Sequence, residues 1–154
     1  MVVRIEEVST MKFIVLGHAT KDSEAGVLPS GEEFAKMGKF IEELVKAGVF
    51  VTGVGLQPSS KGARITFGSA GKTTIKDGPF TESKELIAGF SIIQVKSLDE
   101  AIAWMSRAPS PEGSTLEIRQ LFSDDDFASA DPTGELREQD AKLRAEAEKQ
   151  HRKT

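Results

Sequence analysis

Two stretches limit what this chain can become. Phe13-Ile14-Val15-Leu16 and Ala88–Val95, with Phe90, Ile92, Ile93 and Val95, carry apolar side chains on both faces of an extended backbone. Such strands belong in the middle of a sheet, where both faces are covered. The chain offers two amphipathic helices to cover them. Ser30 with Glu33 and Ser97 with Glu100 each spell a capping box at the head of an apolar stripe. In the first helix the stripe is Phe34, Met37, Ile41, Leu44 and Val45, closed by Gly48 as a left-handed cap. In the second it is Leu98, Ala101, Ile102 and Met105, stopped by Pro109 and Pro111, with Trp104 off the stripe at an edge or a subunit contact. Two helices cover one face of a sheet. The other face needs a second sheet, and a second copy of the chain is the simplest source, so the pattern predicts a homodimer.

The remaining elements fall into place around these. Lys12 opens the first strand, which ends at Gly17-His18, and Ala19 to Pro29 is expected to be a loop. Val49 to Leu56 is a second strand, whose Gly53 and Gly55 leave room for a close neighbour. Ala63–Phe67 and Thr73–Asp77 form a hairpin around Gly68-Ser69-Ala70-Gly71. Thr115 to Phe122 is the last strand. Composition shifts at Asp124-Asp125-Asp126, a solvated acidic run. Asp131-Pro132 then offers an N-cap and a first-turn proline to a highly charged helix reaching about Lys149. Its thin stripe, Leu136 and Leu143, is expected to dock against the protomer or its mate. The order is that of an α+β, ferredoxin-like protomer with an inserted hairpin and a C-terminal helix. Residues 1–10 are an extension, 11–123 the main domain, and 124–154 the charged tail.

Composition excludes several classes of function. With a net charge of -4 the 154-residue chain lacks the basic surface that nucleic acid or an anionic membrane attracts. No apolar run approaches the roughly 18 residues of a membrane span. Zero cysteines rule out a disulfide framework, thiol catalysis and cysteine-held zinc. No signal-peptide block is visible at the N-terminus, and the expected location is the cytoplasm. Gly71-Lys72-Thr73 mimics a phosphate loop, but Thr66 stands where the first glycine belongs and a strand follows instead of a helix. No G-x-G-x-x-G is present, and no cofactor or metal is expected.

The chemistry gathers near Thr74–Phe90, where the chain turns through Gly78-Pro79. Proline presets its own φ and pushes Gly78 toward extended geometry, so the turn is stiff before packing acts. Asp77, held at that corner, is either a general base or a turn carboxylate that accepts backbone N–H bonds. His18, ending a central strand, is either its proton-shuttling partner in a cleft or a solvated histidine. Lys84, Glu85, Arg64 and Arg119 either bind an anionic substrate or pair with one another. The loop Lys21-Asp22-Ser23-Glu24, with Gly26 behind it, is placed to close over a cleft or to be a plain surface connection.

Asp77-Gly78-Pro79-Phe80 with Lys84-Glu85 and Gly89-Phe90 resembles the signature of the DGPF proteins in the YCII-related superfamily. Lys21–Gly26, Gly55–Arg64 and Glu117-Ile118-Arg119 match it too, so the likeness covers about residues 11–127. Even Leu136-Arg137-Glu138-Gln139 is similar to the tail of one subgroup. The resemblance implies a dimeric α/β-barrel of ferredoxin-like protomers. Relatives with a proposed His-Asp pair in a dimer cleft suggest an acid/base enzyme or small-molecule binder. Members encoded beside, or fused to, alternative sigma factors suggest instead a non-enzymatic regulatory module with a sigma-factor partner. The chain departs from the subgroup at His18, where a lysine is expected, and at Val54, where an acidic residue is common.

Overall fold

The computed structural model describes residues 9–81 and 85–152. The chain divides into a larger unit ending at Leu121 and a smaller one beginning at Phe122. The larger unit holds β1 (Met11–His18), α1 (Lys21–Glu24), α2 (Gly31–Lys46), β2 (Phe50–Gly55), β3 (Ala63–Phe67), β4 (Thr73–Asp77), β5 (Ile87–Val95), α3 (Leu98–Met105) and β6 (Leu116–Gln120). The smaller unit holds α4 (Glu135–His151). Four strands form an antiparallel sheet in the order β2-β5-β1-β6, and β3 pairs with β4 in a separate hairpin. The two strands that are apolar on both faces, β1 and β5, are the central pair. This α+β arrangement is consistent with a ferredoxin-like protomer carrying an inserted hairpin.

Directly paired residues share a face of the sheet. Phe13 opposite Ile93, with Val15 and Val95, looks toward Phe40, Leu44, Val49, Ala101 and Met105, and together these make the core. Burying a side chain such as Ile93, 0% exposed, stabilises by about 1.5–3 kcal/mol. On the other face Ile14 lies opposite Ile92 and Leu16 opposite Phe90, all half-buried, with exposed Val54 opposite Phe90 on β2.

Helices α2 and α3 begin where their caps predict, although at α3 Glu100 accepts the Lys96 N–H rather than that of Ser97, so the capping box is not reciprocal there. Ser30 Oγ accepts the Glu33 N–H while Glu33 reaches back to the Ser30 N–H, and these bonds hold the Glu33 carboxyl below its usual range. Gly48 closes the end of α2 in left-handed geometry, φ 71°. The buried faces are rotated from the predicted ones. In α2 it is Phe40 and Leu44 that are buried, while Phe34 is 73% exposed and Met37 and Val45 are exposed as well. In α3, Ala101 and Met105 go inward, Leu98 and Ile102 stay exposed, and Trp104 packs against the core's edge. Apolar residues surround α2 on more than one stripe, and only the sheet beneath selects which is buried. The 19–29 loop also contains a short helix, α1, made by reciprocal bonds between Thr20 and Ser23. The space at Gly53 faces the Phe50 ring and Ser91, within the sheet.

In the smaller unit Asp131 caps α4 from a distance. Helix α4 starts at Glu135, so Pro132 lies before it and not in its first turn. The Asp131 carboxylate, buried, accepts the Leu136 N–H at 3.3 Å and the Arg137 N–H at 2.9 Å, and pairs with the Arg137 guanidinium. Those bonds, the Arg137 N–H first, hold its carboxyl below the usual range against the opposing effect of burial. Leu136 and Leu143 are 64% and 63% exposed. Intrahelical pairs such as Asp140 with Arg144 and Glu138 with Lys142 decorate α4.

Candidate functional site

A pocket of about 450 Å³ opens in the larger unit where β2 runs out and β5 begins. Its apolar wall is Leu56, Pro58, Phe80, Leu86 and Ile87, and its polar groups include Glu24, Ser59, Lys61, Arg64 and Glu85. Leu86 is buried and anchors the wall to the protein, with its carbonyl accepting the Ala19 N–H at the end of β1.

Ser59 organises this corner. Its N–H donates to Glu24 Oε1 at 3.1 Å and its hydroxyl to Oε2 at 2.5 Å, so both carboxylate oxygens are engaged. The same hydroxyl accepts the Phe80 N–H at 3.1 Å. Ionised acceptors make the stronger hydrogen bonds, and these tie together segments 35 and 21 residues apart. The loop after β1, the connection after β2 and the turn after β4 thus meet on one serine. The Gly78 backbone is pressed against that serine as well. A Cβ there would lie 1.7 Å from the Ser59 carbonyl oxygen, so no other residue fits the position. The Gly78-Pro79 peptide is cis.

Phe80 carries the next contact. The Arg64 guanidinium lies 3.9 Å from the centre of its ring, a cation–π contact at the pocket. Among the described residues no ion pair involves Arg64, Lys61 or Glu85.

Of the residues singled out from sequence, Arg64 and Glu85 line the pocket together. Asp77 ends β4 opposite Ala63, exposed, and its carboxylate accepts no hydrogen bond among the described residues. The Phe80 N–H of this turn donates to Ser59. His18 ends β1 opposite Ile87, half-buried, with its N–H bonded to the Thr115 carbonyl. Arg119 lies on β6, at the opposite edge of the sheet from β2, exposed and opposite Ile14. None of these three lines the pocket. Lys84 lies outside the described residues. Glu24, Ser59 and Phe80 were not selected from sequence as site residues, although each falls in a motif noted there. What marks them is a contact across long separations.

With the architecture and the corner in view, comparison with known proteins assigns the family. Residues 11–124 match the YCII-related domain. The chain belongs to the YCII-related family. Among curated proteins, one of Rhizobium meliloti (strain 1021), named there only as an uncharacterized protein, is 39% identical over 80 residues. The match takes in 50% of this chain and 63% of that relative's length. Among the described residues no helix is long and apolar enough to cross a membrane, and no cluster of acidic or histidine side chains has the makings of a metal site.

Proposed function

We propose that this YCII-related protein, of the DGPF subgroup, binds a small organic molecule in the pocket that Ser59 organises. The observation that carries the reading is a cleft of about 450 Å³ with a mainly apolar wall, in which the polar frame is internally satisfied while cations and a carboxylate remain at the rim. Small-molecule sites share that chemistry: an apolar lining with a few placed polar groups. The working unit is a cytoplasmic homodimer of the dimeric α/β-barrel type, with residues 11–123 as its domain. Its interface is the sheet face of Ile14, Leu16, Phe90, Ile92 and Val54. Any acid/base step falls to Asp77 and His18, brought to the ligand by the cleft a second copy would complete.

The test is an amide-resolved NMR titration of the full chain with a library of small aromatic and aliphatic compounds. Saturable shifts at Phe80, Leu86 and Ile87 are the expected result. A library that moves none of these amides would overturn the reading. A second reading, a regulatory module that engages a sigma factor, draws on the exposed Leu136 and Leu143 of α4. It predicts capture by a protein partner through residues 124–154, lost on Leu136→Ser with Leu143→Ser.

A further inference from the structure

The geometry points to Arg64 as the seat for an oxyanion, so that the pocket takes a small molecule with an apolar body and a carboxylate head. The inference rests on the small-molecule reading above and names the ligand's chemistry.

Charge alone does not decide it. Lys61 and Arg64 at the pocket are matched in formal charge by Glu24 and Glu85. The bonding state of each group separates them. Glu24 has both oxygens engaged by Ser59 and is part of the frame. Arg64 has its guanidinium carbon 3.9 Å from the centre of the Phe80 ring, a contact with an aromatic face that engages none of its N–H donors in an ion pair among the described residues. A planar fork held this way matches a carboxylate in a two-bond geometry, and little side-chain freedom is lost on pairing. Its platform is itself fixed, since the Phe80 N–H is held by Ser59. Among the described residues no carboxylate pairs with Arg64. Leu86 and Ile87, in the same pocket, supply the surface for the ligand's body. Glu85 is the competing rim group and would favour an ammonium head. It has no stacked platform of the kind that orients Arg64.

Three probes with one ring and different heads distinguish these outcomes: benzoate, benzamide and benzylamine, titrated into the full chain at low salt and followed by amide NMR. Benzoate should bind at least about tenfold more tightly than benzamide, a difference of about 1.4 kcal/mol. Arg64→Gln should abolish that preference while leaving amides remote from the pocket unmoved. The Arg64 Nε–H resonance of the unaltered protein supplies a readout that needs no variant: it should shift with benzoate and not with benzamide. Equal binding of benzoate and benzamide, a preference for benzylamine, or a benzoate preference that survives Arg64→Gln would each overturn the inference while the pocket reading stands. If none of the three probes moves the pocket amides but other library compounds do, the oxyanion seat is again refuted alone. Failure of the whole library removes both.

Discussion

The two faces of the β2-β5-β1-β6 sheet use the same kind of residue to opposite ends. On one face Phe13, Val15, Ile93 and Val95 are buried beneath α2 and α3. On the other Ile14, Leu16, Phe90 and Ile92 are half-buried, and nearby Val54 is exposed. Neighbours in sequence, Ile92 and Ile93, fall on opposite sides of this divide. The difference is one of cover: the face beneath α2 and α3 is buried, and the other is only partly so. An apolar face of this kind, rimmed by Lys12, Glu117 and Arg119, has the composition of an interface, with charge at its edge and aliphatic and aromatic groups at its centre.

The largest effect should come from the buried face. Ile93→Ala is expected to cost about 2–5 kcal/mol in chemical denaturation, because its cavity opens among side chains that cannot collapse into it. A loss below about 1 kcal/mol would mean that the two faces are not as different as their burial. Next in size is Ser59→Ala, which strips two partners from Glu24 and Phe80 at once. A loss of about 1–3 kcal/mol is expected for half-buried groups left unsatisfied, with faster amide exchange at Phe80. Unchanged exchange there would show that the corner holds without its serine.

The smaller unit responds to acid. Asp131 has a lowered folded pKa, so its contribution is present above its unfolded value of about 3.9 and is lost as pH falls through the folded value. The amide resonances of Leu136 and Arg137 should therefore move together below about pH 4, and Asp131→Asn should remove that transition. Smallest of all is Asp77→Asn. An exposed carboxylate with no hydrogen bond among the described residues should change stability by less than about 0.5 kcal/mol on this substitution. A larger loss in a thermal melt would return Asp77 to the structural frame of the turn.

Local chemistry was legible in the residues. The caps at Ser30 and Ser97, the left-handed Gly48 and the hairpin between Ala63 and Asp77 each depend on partners a few positions away, and each forms where the residues predict. The strand order was within reach too, because β1 and β5 declare themselves central by being apolar on both sides. Helix phase was not legible: Phe34, Met37, Phe40, Ile41, Leu44 and Val45 offer α2 more than one stripe, and the sheet chooses Phe40 and Leu44. The pocket was hidden for a related reason. Ser59 is an ordinary polar residue in a connection until Glu24 and Phe80, both distant in sequence, converge on it. Asp77 is conspicuous in the sequence because its turn is, whereas the hold of Ser59 on the Phe80 N–H shows only in three dimensions.

The open face can be tested most directly by sedimentation equilibrium of the full chain across micromolar concentrations, alongside Ile92→Asp. The account predicts twice the chain mass for the unaltered protein, through an interface burying more than about 1,200 Å² in total. For Ile92→Asp it predicts the mass of one chain with the circular dichroism of a folded protein. A monomer in the unaltered protein at every concentration would contradict it, as would a dimer that Ile92→Asp leaves intact.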